Sequence, residues 1–212
     1  SPKVPGFLGN GDTCCGGDPR FKLAPEVEEK RLGFKEYPLI SGATGPEKPV
    51  DYVHAALAVK AMLIGKPYPL KAIWCAGGNP MVSQQNNRRV RDALMNLDLM
   101  VVPELFMTPS AEMADYVLPI CHWLERDETC EDFMYMDCVS ARQKVLEPRG
   151  ECWPDMKITI ELVKRIPWAN RNLAPWDTVE QFNDMRVAGL GLTLKELQKK
   201  GYYTVPVSYK KH

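Results

Sequence analysis

Apolar residues recur at helical spacing in the first regular stretch of the chain. Four of them stand three or four residues apart, which places them on one face of an α-helix. We expect Asp51 to cap this helix and Gly65 to end it. The apolar positions are Val53, Leu57, Ala61 and Ile64.

Short apolar runs and an amphipathic segment alternate after this helix. Ala72–Ala76 and Leu99–Val102 are typical of buried strands, and Arg88–Leu97 between them is typical of a helix. Such a strand, helix and strand form a βαβ unit with a parallel pair and a right-handed crossover. Tyr116–Ile120 is a third candidate strand. The pattern predicts one α/β domain with a mainly parallel sheet over residues 51–212.

Capping patterns predict further helices near and beyond this sheet. Thr108 is the expected N-cap of a short helix before the third strand. Later helices are expected to start near Asp155, at Asp177 with Glu180 three residues on, and over Thr193–Lys200.

The first 50 residues are rich in Gly and Pro and have no clear period. We expect an irregular arm over residues 1–50, with one short helix around Glu26–Arg31. The opening SPKVPGFLGNG has neither an initiator Met nor a signal-peptide pattern, as expected of a piece of a longer protein. The sequence therefore leaves the localisation undetermined.

Composition and charge exclude several classes of protein. A chain of 212 residues, with 45% hydrophobic and 25% charged residues, has the composition of a globular protein. Its formal net charge is zero, so we expect no broad attraction to nucleic acid. No apolar run approaches the roughly 20 residues that span a bilayer, so we expect no direct membrane insertion.

The seven cysteines are an odd number, and no pair has the C-x-x-C spacing of a zinc or iron–sulfur site. We expect mostly unpaired thiols, because a chain this rich in apolar residues does not need a disulfide framework. The alternative is a zinc site that uses Cys121, His122 and Cys130.

Polar segments follow each of the three predicted parallel strands. Ligands of open parallel sheets bind beyond the carboxyl ends of the strands, so these segments predict a binding edge. They are Gly77–Pro80, Pro103–Glu104 with Thr108, and His122–Asp127.

Each segment offers different chemistry to a ligand. Glycines let a flat or anionic group approach the backbone, and Asn79 offers both a donor and an acceptor. Glu104 suits adjacent N–H donors such as a guanine edge, and Arg126 suits an anion. The structural alternatives are a plain turn, a solvated carboxylate and a surface charge cluster. The G-x-G-x-x-G fingerprint is absent, which argues against a nicotinamide-dependent enzyme.

Three runs in order resemble the molybdopterin-dependent oxidoreductases of the dimethyl sulfoxide reductase family. They are AIWCAGGNPM, LMVVPELFMTPSAEMADYVLPICHWLERDE and KVLEPRGECWPDMKITIELVKRI. The most specific part is the T-x-x-A-x-x-A-D-x-V-L-P-like run from Thr108 to Pro119. The resemblance covers roughly residues 50–166 and implies the family's third domain, a three-layer Rossmann-like α/β unit.

The resemblance implies a bis(molybdopterin guanine dinucleotide) cofactor with molybdenum or tungsten. It assigns cofactor contacts to the strand-end, turn and helix-start positions. These are Gly78, Asn79, Pro103, Glu104, Thr108, Arg126 and Asp155. Pro103 stands where the family has a small or acidic residue, so it acts only through its carbonyl and Glu104 takes the acidic role. The family often continues its W-x-E motif, here Trp123-Leu124-Glu125, with a charged residue and then glycine, whereas here Arg126 is followed by Asp127-Glu128.

Several family segments have no counterpart in this sequence. They are the amino-terminal cysteine cluster for an iron–sulfur centre, the segment with the metal ligand, and the carboxy-terminal barrel. We therefore assign no catalytic residue and no metal ligand, and we expect the isolated chain to be inactive. The expected partners are the remaining domains of the parent enzyme, which carry the iron–sulfur cluster, and an electron-transfer subunit. The alternative is a non-catalytic α/β scaffold or interaction domain of the same fold.

Overall fold

The computed structural model describes residues 24–37, 53–131, 138–169, 171 and 174–204. These residues divide after Ile120 into two units. The parallel-sheet unit holds the described residues up to Ile120, and the antiparallel-sheet unit holds those from Cys121 onward. Most of the predicted arm and its boundary at residue 50 lie outside the described residues, so that boundary stays a prediction.

Three parallel strands form the sheet of the first unit. They are β1 (Ala72–Trp74), β2 (Leu99–Glu104) and β3 (Tyr116–Pro119), in the order β1-β2-β3. β2 is central, with Ile73 opposite Met100 on one side. The predicted α/β class with a parallel sheet is confirmed.

Four helices belong to the same unit. They are α1 (Pro25–Glu28), α2 (Ala55–Ile64), α3 (Pro80–Ser83) and α4 (Asn87–Met95), and a 3-10 turn covers Ala111–Met113. The predicted cap Asp51 lies outside the described residues. The N-cap of α2 is His54, whose Nδ1 accepts a hydrogen bond from Ala56 N at 3.2 Å.

The core of this unit lies between the sheet and helices α2 and α4. Its most deeply buried side chains include Val90 and Ala93 of α4 and Met100 and Val102 of β2. Side chains alternate across a strand, so the neighbours of these residues point to the other face. That face carries apolar side chains that stay exposed, at 44% for Trp74, 38% for Leu99 and 63% for Tyr116.

The antiparallel sheet of the second unit was not predicted from the sequence. Its strands are β4 (Glu128–Glu131), β5 (Cys138–Arg142) and β6 (Tyr202–Thr204), paired antiparallel in the order β4-β5-β6. The prediction of a mainly parallel sheet over 51–212 thus holds for the first unit. It missed this second sheet, in which β6 pairs with β5 across a long sequence separation while β4 and β5 are neighbours in the chain.

Helices α5 (Asp155–Arg165), α6 (Val179–Val187) and α7 (Leu194–Lys200) pack in this unit, and 3-10 turns cover Trp123–Glu125 and Ala188–Leu190. The start of α5 at Asp155 and the extent of α7 agree with prediction.

Of the capping patterns predicted for α6 and α7, the one for α7 is confirmed. At α7, Thr193 Oγ1 accepts from Glu196 N, and Glu196 accepts from Thr193 N at 2.7 Å, which confirms the capping box. At α6 the predicted cap Asp177 is wrong by one residue. Thr178 is the N-cap instead, because its hydroxyl accepts from Gln181 N at 3.2 Å.

Two apolar clusters stabilise the second unit. One joins α5 to α6, where the rings of Trp176 and Phe182 meet edge to face with centroids 5.0 Å apart. The other joins β5 to α6 and α7 through Val139, Val187 and Leu197, all at most 1% exposed. None of the helices in the described part of the chain is long and apolar enough to cross a membrane.

Asp115 of the A-D-Y-V-L-P run ties the start of β3 to β2. Its carboxylate accepts a hydrogen bond from Met100 N at 2.6 Å, and its own N–H donates to Met100 O at 2.9 Å. Asp115, which lies in the most specific run of the sequence, therefore has a structural role, since it sets where the two strands begin to pair.

We expect Asp115→Ala to lower the free energy of unfolding by about 1 kcal/mol, because the Met100 N–H loses a charged acceptor. Asp115→Asn retains an oxygen acceptor and loses less. The matched control is Asp98→Ala, which removes the exposed ion pair between Asp98 and Lys71 and costs less than about 0.5 kcal/mol. Denaturant titration measures both values, and equal losses at the two positions would contradict this role of Asp115.

Candidate functional site

The chain leaves β1 through a glycine turn with an exposed backbone. Gly77 has φ +63°, a left-handed conformation that favours glycine. A Cβ placed on Gly77 or on Gly78 would meet no atom within 4 Å. The space beside both residues is therefore open, and a ligand can approach the peptide groups directly.

Asn79 begins α3 but does not use its side chain to cap that helix. Its backbone carbonyl accepts from Val82 N and Ser83 N, both at 2.9 Å. Its side-chain Oδ1 instead accepts a hydrogen bond from Ser110 Oγ at 2.6 Å. Ser110 follows β2 in the chain and is fully buried at 0% exposure. This bond joins the segment that follows β1 to the segment that follows β2.

Glu104 closes β2 at the same edge of the sheet. Its carboxylate is half-buried and accepts from the N–H of Leu105 at 2.7 Å. The residue before it, Pro103, is one of the fully buried side chains of the strand.

Cys75 lies beneath the turn. Its thiol donates to the carbonyl of Gly78 at 3.3 Å, and its N–H donates to Val101 O at 2.9 Å. Burial, and after it the negative charge of Glu104, raises the pKa of the Cys75 thiol. The thiol therefore stays protonated at neutral pH and remains a hydrogen-bond donor to the turn.

Thr108 acts on the local backbone. Its hydroxyl accepts from Ala111 N at 3.3 Å, and its carbonyl accepts from Glu112 N at 2.9 Å. The predicted helix is a 3-10 turn with Ser110 at its N-cap position, so the predicted N-cap is wrong by two residues. The bond from Ala111 N to the Thr108 hydroxyl still holds the segment that carries Ser110.

Arg126 and Asp155 belong to the antiparallel-sheet unit, where they pair with each other. Arg126 Nε also donates to Glu128 at 3.2 Å, and its Nη1 donates to the carbonyl of Cys121 at 3.2 Å. The Arg126 side chain is 17% exposed, whereas the Asp155 side chain is 45% exposed. The contacts fix one edge of the guanidinium within the protein.

The Glu of the W-x-E motif also has a structural role. Glu125 accepts from the N–H of His122 at 2.8 Å, and His122 Nδ1 accepts from Leu124 N at 3.3 Å. Together they cap the short turn that leads to Arg126.

The alternative zinc site is not formed. Among the residues that the structure describes, no three His, Cys, Asp or Glu side chains come together as metal ligands, and Cys121 with His122 and Cys130 is no exception. Cys121 is 1% exposed, and burial is the main cause that raises the pKa of its thiol. Cys75, Cys121 and Cys152 are free thiols.

Two residues of this site were missed from the sequence, Ser110 and Cys75. Both are small, buried and polar, and both support the turn from below. Ser110 lies 31 positions from its partner Asn79, and a local sequence pattern cannot predict a contact over that separation. Cys75 lies within the AIWCAGGNPM run, and its position two residues before the first glycine was the available signal.

The fold and these contacts can be compared with known proteins. Residues 23–165 match the family model of the molybdopterin oxidoreductases. Acetylene hydratase of Syntrophotalea acetylenica is 32% identical over 197 residues, which cover 85% of this chain and 27% of that protein. The molybdopterin-containing subunit of thiosulfate reductase from Salmonella typhimurium is 33% identical over 145 residues, 68% of this chain and 19% of that subunit.

A solved structure gives the same result. Acetylene hydratase from Pelobacter acetylenicus superposes with a TM-score of 0.78 at 28% identity, over 87% of this chain and 27% of that one. The chain therefore spans about a quarter of the acetylene hydratases that it matches. The resemblance inferred from the three sequence runs is confirmed, and the chain belongs to the molybdopterin oxidoreductases of the dimethyl sulfoxide reductase family.

Proposed function

We propose that this chain binds the guanine dinucleotide portion of a bis(molybdopterin guanine dinucleotide) cofactor. The observation that carries the proposal is the hydrogen bond between Asn79 and Ser110. It joins the segments that follow the neighbouring strands β1 and β2, and Glu104 ends β2. Open sheets bind ligands at that edge. Family membership supplies the identity of the ligand as a molybdopterin.

The residues present at this edge fit a guanine nucleotide. The open space beside Gly77 and Gly78 admits a flat or charged group against the backbone. The Glu104 carboxylate is an acceptor for the adjacent N–H donors of a guanine edge. Asn79 supplies amide N–H groups for an oxygen acceptor. The other assigned positions, Pro103 and Thr108, act through the backbone that they hold in place.

Arg126 and Asp155 are proposed as further cofactor contacts from the antiparallel-sheet unit. Arginine suits phosphate or another oxyanion, because its N–H groups form a planar fork. Asp155 opens α5 and holds this fork through their ion pair.

When bound, the cofactor supplies two-electron redox chemistry at molybdenum or tungsten. The residues described here hold its nucleotide, and we assign none of them to catalysis or to the metal. We therefore propose that the isolated chain is inactive and that a longer parent enzyme carries the metal ligand and an iron–sulfur cluster.

The exposed face of the parallel sheet supports a parent enzyme with further domains. Parallel sheets are normally covered on both faces. Here Trp74, Leu99 and Tyr116 stay exposed on one face, while α2 and α4 cover the other. We propose that other domains of the parent enzyme cover this face, and that an electron-transfer subunit joins the assembly.

Hydration is a second candidate for the net reaction of the parent enzyme. The relative that matches 85% of this chain is named a hydratase, whereas another is named a reductase. A parent enzyme that turns over without any electron acceptor or donor would favour hydration. Strict dependence on a redox partner would favour the oxidoreductase.

Glu104→Gln tests the guanine contact. We expect the full chain to bind guanosine diphosphate about tenfold more tightly than inosine diphosphate, because inosine lacks the 2-amino donor. In Glu104→Gln this preference falls to nearly equal binding, because the amide keeps only one acceptor oxygen and places an NH2 donor against the second N–H of the guanine edge. Calorimetry measures both affinities.

The matched control for Glu104→Gln is Glu112→Gln, which removes a carboxylate from the exposed 3-10 turn and leaves the preference unchanged. Equal binding of the two nucleotides by the unaltered chain would contradict the guanine assignment, and so would a preference that survives Glu104→Gln.

The Cys75 thiol reports on the charge of Glu104. The pKa of Cys75 is raised, so below that pKa the thiol is protonated and alkylation is slow. Glu104→Gln removes the repulsive charge and lowers this pKa. We therefore expect Cys75 to react with iodoacetamide a few-fold faster at about pH 8, while burial keeps it slower than a free, exposed thiol.

Mass spectrometry of the labelled chain follows Cys75 and Cys152 in one experiment. Cys152 is half-buried in the other unit and serves as the internal control. An unchanged rate at Cys75 in Glu104→Gln would show that the carboxylate does not act on the thiol.

A further inference from the structure

Ser110 makes two hydrogen bonds that join separate polar segments. Its Oγ accepts from Met81 N at 3.0 Å, and its hydroxyl donates to Asn79 Oδ1 at 2.6 Å. The side chain is fully buried at 0% exposure. Bulk solvent therefore does not reach the hydroxyl.

The burial of Ser110 determines which way the Asn79 amide points. A serine hydroxyl carries one hydrogen, and a buried hydroxyl hydrogen needs an acceptor. Asn79 Oδ1 is that acceptor. If the amide were flipped, Nδ2 would face Oγ and the hydroxyl hydrogen would lose its acceptor.

The opposite end of the amide, Nδ2, has no acceptor among the residues that the structure describes. Asn79 is only half-buried. Oδ1 is held by Ser110, so the group left for a ligand is the N–H donor. The sequence alone left both a donor and an acceptor open at this position.

We infer that Ser110 is a positioning residue that holds Asn79 in one orientation, so that the turn offers amide N–H donors to an acceptor oxygen of the ligand. The inference rests on the proposed function, because it takes the nucleotide of the cofactor as the ligand. The orientation means that Asn79 selects an oxygen acceptor. Thr108 contributes indirectly, because its hydroxyl accepts from Ala111 N and so holds the segment that carries Ser110.

The orientation itself is tested without any ligand. In isotope-edited NMR of the full chain, we expect one ordered pair of Asn79 side-chain amide resonances. Ser110→Ala shifts and broadens this pair, because the amide can then rotate. The matched control is Ser83→Ala, whose hydroxyl contacts the backbone carbonyl of Asn79 at 3.0 Å and not the side chain. An unchanged Asn79 amide in Ser110→Ala overturns the inference.

The consequence for binding is tested with guanosine diphosphate as the probe. We expect Ser110→Ala to weaken binding about three- to tenfold, since one neutral hydrogen bond positions the donor. In an Asn79→Ala background the same change has less than about a twofold effect, because nothing remains to be positioned. Equal losses in both backgrounds would mean that Ser110 acts only on stability, which overturns the inference.

A second variant keeps the test valid if Ser110→Ala unfolds. Asn79→Asp retains the oxygen that accepts from Ser110 but removes the amide donor. We expect a melting temperature close to that of the unaltered chain and a loss of affinity of about tenfold or more. Retained affinity overturns the donor assignment. If the unaltered chain binds no guanosine diphosphate, the proposed function fails, while the NMR result still decides whether Ser110 orients Asn79.

Discussion

Parallel pairing of β2 with both β1 and β3 is the constraint on which the candidate site depends. Strands that run in one direction end at one edge, so the segments that follow them meet there. Asn79 and Ser110 come together for this reason although 31 positions separate them in the chain. Asp115 secures the arrangement, because it fixes the point at which β3 joins β2 through two bonds to Met100.

Hydrogen bonds from buried neighbouring groups hold the turn after β1, and the space beside its glycines stays open. Cys75 bonds to the carbonyl of Gly78, and Ser110 bonds to Asn79 and to the N–H of Met81. These supports are buried and lie on the protein side of the turn. A loop that must present its backbone cannot be stabilised by side chains of its own, so neighbouring segments supply the bonds. This explains why glycines can occupy the turn and still have a defined conformation.

Local patterns predicted the elements of the parallel-sheet unit well, because a βαβ unit is close to contiguous in sequence. The capping box of Thr193 also followed from spacing alone. The pairing of β6 with β5 did not follow from spacing, because the two strands lie some sixty positions apart and β6 has only three residues. Ser110 was missed for a similar reason, since its role depends on a partner in another segment. The motif residue Asp115 marked the family, but its structural role became clear only from its bonds to β2.

Arg126 shows that the same arrangement recurs in the antiparallel-sheet unit. Three acceptors, on Cys121, Glu128 and Asp155, bind Nε and Nη1 of its guanidinium. Within the described residues, no acceptor contacts its remaining nitrogen, Nη2. One edge of the planar group is therefore fixed and the other N–H groups stay available, as for the amide of Asn79. A side chain that is held in this way loses little conformational freedom when it binds an oxyanion, and preorganisation of this kind strengthens binding without any new contact. The ion pair with Asp155 is then compatible with a ligand role for Arg126, because it orients the guanidinium and does not exhaust its donors.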